Sequence, residues 1–111
     1  HKDIDDEFTF DFEGNGFVVM GEASPKHGSS WDYKGSFVFE AELYIDDQKV
    51  ETAKLPANYT TRRLELFWKY QLPKAKHNVK IKLLNPDSEF KLRVTDIVLY
   101  TVQVVQAPAY K

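Results

Sequence analysis

The sequence predicts an all-β domain, a two-sheet antiparallel β-sandwich of about eight strands. Three observations carry this. Apolar and polar side chains alternate over several separate runs, turn-forming residues punctuate the chain between those runs, and no long stretch sustains a 3.6-residue apolar period. A chain of 111 residues with 42% hydrophobic and 29% charged residues suits one soluble globular domain.

Residues 1–7, with Asp3, Asp5, Asp6 and Glu7, read as a flexible acidic start or linker, 8–106 as the sandwich and 107–111 as a C-terminal tail. Phe8, Phe10 and Phe12 alternate with Thr9, Asp11 and Glu13, as in a half-buried strand. Gly14-Asn15-Gly16 supplies a tight turn, so Phe17 to Met20 is expected to return as the hairpin partner. Gly21 to Ser30, with Pro25, Gly28 and Ser29-Ser30, reads as a long loop, where binding groups tend to sit.

From Gly35 the alternation returns, with Phe37, Phe39, Ala41, Leu43 and Ile45 toward the core and Val38, Glu40, Glu42 and Tyr44 away from it. Asp46-Asp47 turns the chain into a short strand that Leu55-Pro56 ends. In the run Arg62 to Leu72, parity places Leu64, Leu66, Trp68, Tyr70 and Leu72 in the core and Arg63, Glu65, Phe67, Lys69 and Gln71 outward. After the corner Pro73 to Lys76, Val79, Ile81 and Leu83 alternate with Lys80 and Lys82, which predicts another hairpin before the turn Asn85-Pro86-Asp87-Ser88. In the run from Lys91 to Val105, Ile97 and Leu99 oppose Val98, Tyr100, Val102 and Val104, so a bulge or two-sided burial is expected.

Composition excludes several functions. Fifteen Lys plus Arg against seventeen Asp plus Glu leave a net charge of -2, without the basic footprint of a nucleic-acid or anionic-lipid binder. With no cysteine there is no disulfide, thiolate metal site or Cys nucleophile. The apolar runs are too short for a transmembrane helix, and a chain opening at His1 reads as an excised or processed piece.

Tyr44-Ile45-Asp46, Leu55-Pro56, Arg63 with Phe67 and Trp68, Tyr70-Gln71-Leu72-Pro73, His77 and Asn85-Pro86 together resemble a known motif. It belongs to a C-terminal β-sandwich module on exported proteins of Bacteroidetes-type bacteria, notably the module that follows ADP-ribosylglycohydrolase-like catalytic domains. The resemblance runs from about Phe17 onward and implies a galactose-binding-like jelly roll in a periplasmic, cell-surface or secreted protein, beside a catalytic domain of the same parent chain. Asp47 and Ala75 stand where the family usually has glycine, so the second corner is expected to differ in turn type. The motif consists of core and corner positions and carries no ligand residues.

Carbohydrate recognition requires an aromatic surface for the apolar sugar face and polar groups for its hydroxyls. Trp31, Asp32 and Tyr33 offer that mixture in one loop, Tyr59 in another, and Phe67 on the outward face of its strand. Two of these have a packing alternative: Trp31 as a plug at one end of the sandwich, and Phe67 with Tyr44 as a contact with a neighbouring domain. The acidic start could offer oxygen ligands to a structural calcium, but no calcium-loop spacing is present, and His1, His27 and His77 lack ligand spacing. No cofactor is expected.

Ser29, Ser30, His27 and Asp32 have no nucleophile-elbow context, and Glu40 and Glu42 are expected to meet basic side chains on a neighbouring strand. The expectation is therefore a monomeric, non-catalytic accessory module that binds carbohydrate. The alternative is a structural module that packs on its catalytic neighbour.

Overall fold

The computed structural model describes residues 2–27, 33–58 and 65–101. They form eight strands: β1 (Lys2–Ile4), β2 (Glu7–Gly14), β3 (Gly16–Pro25), β4 (Val38–Ile45), β5 (Gln48–Pro56), β6 (Glu65–Lys69), β7 (Ala75–Leu83) and β8 (Phe90–Tyr100). Every pairing is antiparallel, and the strands make two sheets in the orders β1-β8-β3-β6 and β2-β7-β4-β5. The chain alternates between sheets at almost every corner, which is the jelly-roll form of the predicted sandwich.

Only β4 and β5 are a sequential hairpin among the described residues. Their turn places Asp46 at φ 52° and Asp47 at φ 70°, two left-handed residues in succession. Such a turn twists with its strands, and Asp tolerates it better than bulkier residues. The other expected hairpins do not form. β2 and β3, separated by Asn15 alone, belong to opposite sheets, and so do β6 and β7. Between β6 and β7 the left-handed residue is Gln71 (φ 64°), so Ala75 is free of that strain.

Two boundaries also move. Ile4 is 3% exposed and Lys2, Asp3 and Ile4 pair with Val94, Arg93 and Leu92, so the acidic start is an edge strand anchored by one apolar side chain. Gly21 to Pro25, read as loop, continue β3 and pair with β8 from Val94 to Phe90.

The core between the sheets contains Phe39, Ala41, Leu43 and Ile45 of β4, Val79, Ile81 and Leu83 of β7, and Phe12 of β2, as alternation predicts. From the other sheet come Phe17, Val19, Leu66, Phe67, Leu92 and Val94. Two bulges change parity there. Val19 faces Phe67 while Met20 faces Glu65, leaving Leu66 extra, so Leu66 and Phe67 are both buried. Met20 faces Asp96 while Gly21 faces Val94, leaving Thr95 extra, and the inward set passes from Leu92 and Val94 to Ile97. The bulge anticipated in the last strand is thereby located.

The motif residues lock the corners together. Buried His77 sets Nδ1 2.7 Å from the Asp46 carboxylate and Nε2 2.6 Å from the Pro73 carbonyl oxygen. Both partners can accept, so the doubly protonated ring donates to both and bridges the β4–β5 turn and the 70–74 corner. Asp46 also accepts the Asn78 N–H at 2.9 Å. Where β7 leaves the sheet, the Asn85 amide continues the ladder, accepting the Glu40 N–H at 2.7 Å and donating to the Val38 carbonyl at 3.0 Å.

A pH dependence follows. The Asp46 carboxylate, then the Pro73 carbonyl, raises the His77 pKa above its usual 6.5, against opposition from burial. The Asn78 N–H, then His77, lowers that of Asp46 below 3.8. His77 therefore contributes fully below pH 6.5, and its contribution is lost as pH rises through its folded value. Asp46 contributes above pH 3.8, and its share is lost as pH falls through its own folded value. The urea midpoint is expected to decline as pH rises above 6.5 and to lose that decline in His77→Gln; an unchanged profile in the variant would refute the bridge.

Candidate functional site

The two outer faces differ in how far the protein satisfies them. On the β2-β7-β4-β5 sheet, Lys76 and Lys82 of β7 stand opposite Glu13 and Glu7 of β2, and Lys82 also stands opposite Glu42 of β4. Glu42 accepts from Lys49 at 3.2 Å and from the Tyr44 hydroxyl at 2.9 Å, and Lys80 lies 4.8 Å from the centre of the Tyr44 ring. Glu40 faces Lys54. These carboxylates meet lysines on neighbouring strands, as expected, and Tyr44 is engaged within its own sheet. This face is a lattice of cross-strand charge pairs.

The face of the β1-β8-β3-β6 sheet is different. Phe17 and Val19 of β3 point into the core, so Gly16, Val18 and Met20 point out. Trp68 and Val98 flank Val18 in register, and Tyr100 and Tyr70 flank Gly16. Trp68 is 40% exposed, Tyr70 52% and Val98 39%, whereas Val18 beneath their row is 4% exposed. The result is an aromatic platform spanning β6, β3 and β8.

Gly16 is integral to this arrangement. A Cβ there would lie 2.9 Å from the Lys69 carbonyl oxygen and 3.3 Å from the Tyr70 Cα. The flanking strands are about 9.5 Å apart, two strand spacings, yet the Tyr70 and Tyr100 rings meet edge to face with centroids 5.4 Å apart. They lean over the space that a side chain at position 16 would fill. The Tyr70 hydroxyl is held above its usual value of 10.0 by partial removal from water, then by Tyr100, with Glu65 adding to the effect. It therefore stays protonated, able both to donate and to accept.

Polar groups border the rings. Glu65 and Asp96, both exposed, stand on either side of Met20 in the next outward row. Lys69 follows Trp68 in sequence but reaches across the sandwich edge to Glu51 at 2.9 Å. Beyond the bulge, Arg93 donates to Asp3 at 2.9 Å.

The site differs from the one expected. Trp31, Asp32 and Tyr59 lie outside the described residues. Tyr33 is half-buried, its ring edge-on to Phe90 at 5.1 Å and its hydroxyl accepting the Phe37 N–H at 3.0 Å, so it closes the sandwich end. Phe67 is 0% exposed and cannot present a stacking face, because the Leu66 bulge turns it inward. The same bulge turns Trp68 and Tyr70 outward, although parity had placed them in the core. Tyr100 was read only as part of an ambiguous strand; the signal for it was the glycine at position 16, once the β3–β8 register is known.

No group of three or more His, Cys, Asp or Glu side chains among the described residues could hold a metal ion, and no described helix is long and apolar enough to cross a membrane. Fold and site together define a small jelly-roll domain with one charge-paired face and one aromatic face. No protein-family model, curated protein or solved structure matched the chain.

Proposed function

We propose that this chain is a non-catalytic, carbohydrate-binding accessory module of a larger exported protein, and that it binds through Trp68, Tyr70 and Tyr100. The observation that carries the reading is the juxtaposition of these three rings on one solvent-facing sheet surface, bordered by Glu65 and Asp96. Aromatic faces stack on the C–H side of a sugar ring, while carboxylates and phenols bond its hydroxyls. The exported setting and the catalytic neighbour rest on the resemblance of the motif from Tyr44 to Pro86.

Calorimetric titration of the chain with a panel of oligosaccharides tests the reading. Trp68→Ala is expected to weaken binding at least about tenfold, or about 1.4 kcal/mol, while leaving the chain folded. A variant that binds like wild type would remove the platform from consideration.

A second reading is favoured by the apolar exposure of Val98 beside the exposed rings of Trp68 and Tyr70, 39% against 40% and 52%. On that reading the face packs on the catalytic neighbour, a role no longer open to buried Phe67. Trp68→Ala would then destabilise the parent protein and leave the isolated domain without any glycan response to lose.

A further inference from the structure

The charges around the platform narrow the class of glycan it accepts. Glu65 and Asp96 flank Met20 on the two neighbouring strands, in the outward row next to Trp68, Val18 and Val98. Among the described residues neither carboxylate is within ion-pair distance of a cation. Lys2 of β1 lines one recess with Asp96 without pairing with it, and two nearby basic groups of these strands are committed elsewhere. Lys69 is held at the sandwich edge by Glu51 at 2.9 Å, and Arg93 is bonded to Asp3 at 2.9 Å.

A sugar stacked on Trp68 would therefore have two carboxylates at its margin. One row to the next along an outer face is about 7 Å, within the Debye length of about 8 Å at physiological salt. Carboxylates accept hydrogen bonds from neutral hydroxyls and from ammonium groups, but a uronate or sulfate brought to the same place meets like charge while losing water.

We infer that the platform selects glycans that carry no carboxylate or sulfate groups, with neutral and amino sugars as its ligands. The inference rests on the carbohydrate reading above and specifies its ligand class. Exclusion of anionic chains would come from Glu65 and Asp96, and affinity from the rings.

Matched polysaccharide pairs test it: methyl-esterified against de-esterified polygalacturonate, galactan against sulfated galactan, and hydroxyethylcellulose against carboxymethylcellulose, with chitosan as the cationic member. Affinity electrophoresis and calorimetry should show at least one neutral member bound about tenfold or more tighter than its anionic twin. The gap should narrow between 0.05 and 0.5 M salt in the wild type, a measurement that requires no variant. It should narrow also in the Glu65→Gln/Asp96→Asn double variant, and Trp68→Ala should abolish binding of both members. Anionic members bound as tightly as neutral ones, still in a Trp68-dependent way, would overturn the selectivity and leave the platform standing. Absence of any Trp68-dependent binding across the panel would overturn the platform and the selectivity together.

Discussion

Phe67→Ala is expected to lower the free energy of unfolding by about 3–5 kcal/mol. Trp68→Ala, one residue along the same strand, should change it by no more than about 1.5 kcal/mol. The contrast follows from the bulge at Leu66. Phe67 pairs with Val19 and is enclosed in the inter-sheet core, whereas Trp68 pairs with Val18 on the outer face and keeps 40% of its surface in water. Truncating Phe67 leaves a cavity that the rigid sheet around it cannot close, while truncating Trp68 removes one partial cover from Val18. Since domains of this size are stable by about 5–15 kcal/mol, Phe67→Ala should be close to unfolding, and Phe67→Leu provides a milder variant for the same comparison. Urea denaturation of the variants measures the difference. Equal losses at positions 67 and 68, or a larger loss at 68, would mean that the strand has the opposite parity.

Gly21→Ala should cost about 3 kcal/mol and lower the melting temperature by about 10 °C or more. Gly21 lies on β3 where the register with β8 shifts around Thr95. A Cβ at this position would overlap the Arg93 carbonyl oxygen and lie 2.9 Å from the Leu66 Cδ1. The first obstacle is backbone of the neighbouring strand, which cannot turn aside as a side chain would, so the two central strands would have to separate. Gly21 is thus required for close approach of two strands, in a segment whose composition suggested a loop. Differential scanning calorimetry supplies the measurement, and a shift under about 2 °C would show that the bulge is not held as tightly as described.

Both predictions turn on places where local pattern and tertiary pairing disagree. Alternation of side chains is a consequence of the pleat, so it remains legible wherever a strand runs without interruption. The core faces of β2, β4 and β7 were therefore readable: Phe8, Phe10 and Phe12, then Phe39, Ala41, Leu43 and Ile45, then Val79, Ile81 and Leu83 all pack where parity puts them. Corners are also local, since Asp46-Asp47 and Asn85-Pro86 have the turn chemistry their positions demand.

Pairing between strands is not local. Gly14-Asn15-Gly16 is compatible with a hairpin or with a corner that crosses to the opposite sheet, and the choice depends on which strands can cover the aromatic side chains of β2 and β3. Phe10 and Phe12 meet Phe17 edge to face, at 5.8 and 5.7 Å, across the space between the sheets rather than along one of them. A bulge likewise inserts one residue whose presence only the partner strand reveals. Without β3 beside it, Leu66 looks like any inward residue, and Phe67, Trp68 and Tyr70 after it are assigned to the wrong face.

The sequence by itself determined an all-β sandwich, the identity of most strands, and the absence of thiol chemistry, because composition and pleat periodicity act over a few residues. Tertiary structure alone decided the jelly-roll strand order, the inward turn of Phe67, and the gathering of Trp68, Tyr70 and Tyr100 into one surface. The last of these required Tyr100 to meet, across Gly16, a ring thirty positions earlier in the chain (100 minus 70). The register of the sheet creates that neighbour relation, and register is set by burial on the opposite face.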